Sequence, residues 1–591
     1  MSNSRQAPAG GSLPNEAPKA PLPELTFDEF APASYGTWEA AAGAALAPRG
    51  GEPVKGPAFE KRMFTPTYEG ITLKPMYTVE DTKELKAART YPGLYALRGE
   101  TPAGNLKEPW KMVQDPPAPK PLGGSGGQST PLSSNVENDP LGTLLEKGSL
   151  PEGKNLDTLW DEMAKSTEPV FIRVGTVVHN GGANAVQEVA AAMTAAIETF
   201  RALEKRGVSI GNFAKRLCFE FSQGANFFME IAKLRAARQV WAKIAESFAG
   251  AAGFPASGGE DARRTKIFAK TSSFTKTVYD PYVNMLRNST EAFSAVVGGA
   301  DGLTVVRFDE ASRPESEFSN RQARNAQIML QKEFNLLGPI DPAGGSWYVE
   351  SLTDELAKKI WAELQKIEGQ GGFLKSVQDG LIQKDVEATL QERFKKLARR
   401  SDRAVGTNMY PNMGEPAPDW SGVREAPAAE NTTVTPIRPR RWTEQFEALR
   451  RRTEEYKAAH NGDNVKIFLA NMGPIPQHKA RADFITGFME VAAFDVLKND
   501  GFKTVEDCAD AAAKSGALAA VICSTDKTYP ELAPPLTKAI KEKAPAMRVF
   551  LAGEPAAEFK DAYVQAGVDG FISVRSNCLE SLTELQKMKG M

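Results

Sequence analysis

Several features that define common classes of protein are scarce in this 591-residue chain. It has only four cysteines (Cys218, Cys508, Cys523, Cys578), and none stand in a C-x-x-C spacing. That argues against a disulfide framework and against a cysteine zinc site, and it fits a reducing compartment. The three histidines, His179, His460 and His478, form no H-x-x-x-H pair, so a multi-histidine metal centre is not expected. No apolar run approaches the roughly 18 residues of a membrane span. The first 25 residues contain five prolines, a single arginine and no apolar core stretch, so neither a secretory signal nor an organellar presequence is expected. A net charge of −2 supplies no basic field for nucleic acid. The expectation is a cytoplasmic protein with no membrane and no nucleic-acid partner.

What is present is length and a strong alternation of patterns. Residues 1–55 are rich in Pro, Ala and Gly and read as an extended or disordered arm, with Leu25, Phe27 and Phe30 as possible anchors on a partner. A second low-complexity stretch near 115–150 contains Gly123, Gly124, Gly126 and Gly127. It has neither the preceding strand nor the following Lys-Ser/Thr of a phosphate loop, so it reads as a flexible insertion.

From Pro169 onward apolar strands alternate with amphipathic helices. Val170–Val174, Leu217–Phe221 and Leu303–Val306 read as strands. Asn184 with Gln187 three positions on forms a capping box that starts a helix. Helices are also expected over Phe228–Phe248, near Phe318–Phe334 and around Leu356–Ile367. Such alternation implies parallel β/α units, and a (β/α)8 TIM barrel is the natural closed form over 56–412. Residues 413–460 read as a linker and a charged helix. Over 461–591, strands at Val465–Ala470, near Phe494, and at Leu518–Cys523, Met547–Ala552 and Asp569–Ile572 predict a flavodoxin-like, doubly wound α/β domain.

The segment FFMEIAKLRAARQVWAKI (Phe227–Ile244) closely resembles the barrel of adenosylcobalamin-dependent methylmalonyl-CoA mutases. Further motifs match in order: Thr65–Thr78, Tyr91–Gly99, Asp280–Phe293, Phe318–Gln331, Asp341–Glu350 and, as the closing barrel segment, Val405–Asn412. The resemblance spans residues 56–591 apart from the insertion. It implies a barrel threaded by acyl-CoA and a cobalamin-binding C-terminal domain. The reaction it implies is a radical carbon-skeleton rearrangement between (R)-methylmalonyl-CoA and succinyl-CoA, with the hard chemistry done by the cofactor.

Position by position, the reactive groups that the resemblance implies are missing. The family's cobalt-binding Asp-x-His-x-x-Gly falls on Ile475, Gln477 and Ala480, with His478 one residue late. Isoleucine accepts no hydrogen bond, and an amide is a poor cobalt ligand beside imidazole. His478, Lys479 and Arg481 therefore read as a solvated helix start or a partner contact. In the barrel, the substrate-facing tyrosines fall on Thr101 and Asn105, and the catalytic histidine falls on Val177. His179, two positions later, reads as structural or as a remnant site. The run that meets cofactor and substrate becomes Gly298–Thr304, and an arginine-led run becomes Lys266–Lys270.

No catalytic, cofactor-binding or metal-binding residue is therefore expected in this chain. The pattern resembles the small, non-catalytic subunit of the heterodimeric bacterial enzyme. The large catalytic subunit would be its partner and would carry adenosylcobalamin, and acyl-CoA would be bound by the complex. Two other readings are a divergent, independently active acyl-CoA mutase and a non-enzymatic acyl-CoA-binding or chaperone-like protein.

Overall fold

The computed structural model describes residues 28, 32–91, 109–113, 139–249, 260–423 and 432–591. The chain divides into two compact units, Met1–Thr65 with Leu73–Thr78, and Pro66–Thr72 with Val79–Met591.

The first unit corrects the expectation of an extended arm, because Tyr35–Ala45 is an α-helix. Ser34 caps it by accepting the Thr37 N–H at 3.1 Å, which satisfies one of the free donors at a helix start. A run of alanines has high helix propensity, and the proline-poor stretch after Pro32 leaves that propensity unopposed. Gly43 lets the chain double back: the Val54 N–H donates to its carbonyl at 2.9 Å, and a β-carbon there would collide with Val54. Leu25, Phe27 and Phe30 lie outside the described residues, as does most of the 115–150 insertion.

The second unit holds two parallel sheets. The first contains β1 (Lys111–Val113), β2 (Val170–Ile172), β3 (Leu217–Gln223), β4 (Lys266–Thr271) and β5 (Gly302–Thr304) in the order β1-β5-β4-β3-β2. Every pairing is parallel, so each link is a crossover rather than a hairpin. Eight strands were expected, and five join this sheet among the described residues. The Val405–Asn412 segment, read as closing the barrel, contributes only an isolated bridge between Val405 and Met409. Side chains alternate along β3. Phe219 and Phe221 turn toward the Phe227–Ala249 helix, where Trp241 meets Phe219 at 5.6 Å. Cys218 faces the other way, into a cluster with Val113, Phe171 and Phe268.

The second sheet contains β6 (Lys466–Asn471), β7 (Asp495–Leu497), β8 (Ala519–Cys523), β9 (Arg548–Ala552) and β10 (Gly570–Ile572), all parallel, in the order β7-β6-β8-β9-β10. Counted within the sheet this is 2-1-3-4-5, one of the common doubly wound orders. Both faces are buried. Ile467, Leu469 and Val521 pack under Ile485, Phe488 and Leu582, while Phe468, Ala470 and Ile522 pack under Leu536 and Ile540. The first of these layers also takes in Phe274, Leu390, Phe394, Phe446 and Leu449, so the helices Leu381–Ala398 and Glu444–Ala459 join the two sheets through a shared core.

Helix starts follow the sequence closely. Asn184 and Gln187 form the reciprocal capping box of the Ala185–Glu204 helix, and Asn184 also donates to the Tyr68 carbonyl at 2.8 Å. Asn184→Ala is expected to lower stability by about 1–2 kcal/mol. Urea unfolding checks this, and an unchanged midpoint would show that the cap carries no weight.

Candidate functional site

In parallel α/β folds the chemistry-bearing edge is the carboxyl end of the strands. At that edge β3 ends in Ser222 and Gln223, and β4 runs from Thr271 into Ser272. The Val174–Asn180 helix brings His179 there, and the Ala185–Glu204 helix brings Glu188. The Phe227–Ala249 helix adds Glu230 and Lys233, and Val283–Val297 adds Glu291. All of these side chains are buried.

They form one continuous relay. Lys233 Nζ donates to Glu188 Oε2 at 2.8 Å and also to Glu230 and the Ser222 carbonyl. Glu188 Oε1 accepts the Ser222 N–H at 2.8 Å. His179 Nδ1–H donates to Glu188 Oε2 at 3.0 Å, and its Nε2 lies 2.8 Å from Ser272 Oγ. The Ser272 N–H donates to Glu291 Oε2 at 3.1 Å, and Lys276 Nζ donates to the same oxygen at 2.7 Å. Thr275 Oγ1 closes the group on Glu291 Oε1 at 2.6 Å.

The environment divides the carboxyl groups. Burial would raise Glu188, but Lys233 and then His179 outweigh it and hold the carboxyl below its ordinary range. Burial would lower Lys233, yet Glu188 and Glu230 together hold it charged. Glu230 shares that lysine less favourably, and burial pushes it up. Burial also moves Glu291 up and Lys276 down, each toward its neutral form.

Ser272, His179 and Glu188 line up as a nucleophile, base and orienting acid would. Ser272 is fully enclosed, and Glu188 is already engaged by Lys233. His179 is thus a satisfied histidine inside a larger network. The sequence reading missed Glu188, Glu230, Lys233, Lys276 and Glu291. The available signal was ionisable residues at positions of apolar helical faces, Glu188 between Val186 and Val189 above all.

Gly298 and Gly299 offer their carbonyls to Arg238, and Asp301 Oδ2 takes the Ile267 N–H at 2.8 Å. Thr101 and Asn105 lie outside the described residues. Arg173, just past β2, pairs with Asp139 at 3.2 Å, and Asp139 caps the Pro140–Lys147 helix through the Gly142 N–H at 3.0 Å.

At the edge of the second sheet, β6 leads through Met472–Gly473 into the Ile475–Met489 helix. Ile475 and Gln477 are exposed, as is Ala480. His478 departs from the expected solvated helix start, being only 3% exposed. Its Nδ1–H donates to the Gly473 carbonyl at 3.0 Å, and its ring lies so close to Gly501 that a β-carbon there would sit 2.6 Å from Cε1. A backbone acceptor within reach and the room left by the missing side chain of Gly501 explain why this imidazole turns inward. Lys479 stays exposed, and Arg481 pairs with Asp526 at 2.8 Å. The four thiols are unpaired and buried.

Two parallel sheets, one of them doubly wound, with polar groups gathered at carboxyl edges, define an α/β protein of the kind that carries enzyme families. The sequence profile of the methylmalonyl-CoA mutase family matches residues 124–472. The methylmalonyl-CoA mutase small subunit of Streptomyces virginiae is 32% identical, over 90% of this chain and 94% of its own length. The corresponding small subunit of Porphyromonas gingivalis is 29% identical, over 95% and 98%. A probable small subunit of Mycobacterium bovis is 33% identical, over 78% and 71%. The chain belongs to the methylmalonyl-CoA mutase family.

Two predictions follow from this geometry. Lys233→Met strands Glu188 and Glu230 without a partner in the interior, and unfolding stability is expected to fall by about 3–5 kcal/mol. A loss under about 1 kcal/mol in urea titration would show the relay to be weakly coupled. Asp139 gives a pH signature: burial, opposed by Arg173 and by the N–H groups of Gly142 and Arg173, raises its carboxyl from 3.8 to about 6. The native state then keeps a proton that the unfolded chain releases. Stability from this group is full below about pH 4 and declines as pH rises to about 6. Relative to Asp139→Asn, the wild-type chain should lose about 2–3 kcal/mol across that window. Parallel slopes for the two proteins would contradict this assignment.

Proposed function

We propose that this chain is the small subunit of an adenosylcobalamin-dependent methylmalonyl-CoA mutase in the cytoplasm, and that catalysis belongs to its large-subunit partner. In this reading the first sheet belongs to a (β/α)8 barrel and the second to a flavodoxin-like domain derived from a cobalamin-binding one. The complex interconverts (R)-methylmalonyl-CoA and succinyl-CoA, and the large subunit holds the corrinoid and the acyl-CoA.

The observation that carries the reading is the loop after β6. Gln477 stands where an imidazole is needed, Ile475 cannot orient a ligand, and His478 spends its Nδ1–H on the Gly473 carbonyl inside the domain. These residues do not fit an axial cobalt ligand. The enclosed relay around His179 supports the same reading, because its ionisable groups are committed to one another. The names of the relatives supply the counterpart chain.

The test is activity and visible spectroscopy of two preparations. The chain alone is expected to show no thioester interconversion and no stoichiometric corrinoid. The chain with the large subunit should show turnover with one corrinoid per heterodimer. Turnover by the solitary chain, or one corrinoid bound to it, would sink the proposal and favour a divergent mutase.

A further inference from the structure

The Val283–Val297 helix buries an unusual number of polar groups: Asn284, Asn288, Glu291 and Ser294 are all 4% exposed or less, beside Ala292, Ala295 and Val296. Each of the four polar side chains has a partner there. Asn284 Nδ2 donates to the Thr277 and Phe308 carbonyls at 2.9 Å, and Asn288 Nδ2 donates to the Val306 carbonyl at 2.8 Å. Glu291 is held by Ser272, Thr275 and Lys276, and Ser294 Oγ donates to Gln223 Oε1 at 3.2 Å. Its outer face exposes Leu286 at 69% and Phe293 at 38%, with Tyr282 just before it at 55%, beside Ser289 and Thr290. An ordinary surface helix turns its large apolar residues inward. The relay fills much of the inner face with polar groups and leaves these large apolar residues pointing out.

The apolar face continues beyond this helix. Tyr282 stacks on Phe308 at 5.4 Å, and Phe308 meets Phe318 on the neighbouring Glu317–Lys332 helix at 6.0 Å. At the other end Phe293 meets Phe227 at 5.3 Å, which leads to Phe228 at 5.2 Å. Phe318 is 55% and Phe228 46% exposed, and Ile328, Met329 and Phe334 add further exposed apolar surface. At roughly 200 Å² per large apolar side chain, these exposures amount to on the order of 800 Å². That exceeds the roughly 300–600 Å² of a typical monomer's largest patch and matches the share of one partner in a standard interface.

Charge selects the occupant. The exposed ionisable residues on the Glu317–Lys332 helix are Arg321, Arg324 and Lys332 against Glu317, with Glu315 and Glu333 exposed at its two ends. A second copy docking face to face would set the same basic residues against each other. A different chain with an apolar centre and an acidic rim meets both requirements.

We infer that this two-helix face is the docking surface for the large subunit, an inference that rests on the proposed function. The test is complex formation between the full-length chain and the large subunit, followed by light scattering and a binding isotherm. Val564→Glu, at an exposed apolar site on the Ala557–Gln565 helix beside the second sheet, serves as control. Leu286→Asp with Phe293→Glu should leave the solitary chain folded, as circular dichroism reads, and weaken the heterodimer at least 100-fold, while the control binds like wild type. Arg321→Glu with Arg324→Glu should slow association and invert its salt dependence. A heterodimer that forms normally with the Leu286/Phe293 variant overturns this surface while leaving the proposed function standing. A wild-type chain that forms no heterodimer with the large subunit defeats the proposed function itself. A wild-type homodimer that the double variant dissociates, with heterodimer affinity unchanged, assigns the face to a second copy and overturns the inference.

Discussion

Lys233 lies in the interior between two carboxylates, and much of the structure depends on that arrangement. An isolated ammonium would be costly there, and so would either glutamate alone. Together with His179, Ser222, Ser272, Glu291 and Lys276 they satisfy one another. The relay draws on four helices and the ends of two strands, so it fixes the register of those elements at the edge where parallel sheets present their chemistry. Such a network positions the scaffold around it.

The relay also links the two sheets. The segment after β4 carries Ser272, Thr275 and Lys276 on the relay side, then places Phe274 in the shared core. A few residues on, the Val278 N–H donates to Glu447 at 3.1 Å and the Tyr279 hydroxyl to Glu454 at 2.8 Å, both on the Glu444–Ala459 helix. Arg450 stacks over Tyr279 at 4.2 Å and pairs with Glu415 at 3.0 Å. The second sheet is thereby held to the first by apolar packing and by a buried ionic seam. The same seam makes the Glu444–Ala459 helix, expected from its charged pattern, a brace between the two sheets.

The polar inner face of the Val283–Val297 helix shows how one commitment forces another. Once Glu291 turns inward to Lys276, helical spacing carries Asn284, Asn288 and Ser294 to the same side. Leu286 and Phe293, which a core would normally take, are left outside with Ser289 and Thr290. An unusual interior thus generates an unusual surface, and the two are one fact about a single helix.

The order and type of elements were legible in the sequence because they rest on local physics. The capping box at Asn184 is a contact between neighbours in the chain, and the apolar runs of β6, β8 and β9 need only their own composition to read as buried strands. The motifs that identified the family, such as Phe227–Ile244, are likewise linear. Distance in space decided the rest. His478 looked solvated because its flanking residues are charged, and it turned inward because Gly473 and Gly501 made room and supplied an acceptor. Glu188, Lys233 and Glu291 are separated by 45 and 58 positions, so their pairing could not be read from periodicity. Sequence fixes what each segment prefers locally. Which ionisable groups meet in the interior depends on how the helices dock, because only burial makes their mutual charge decisive.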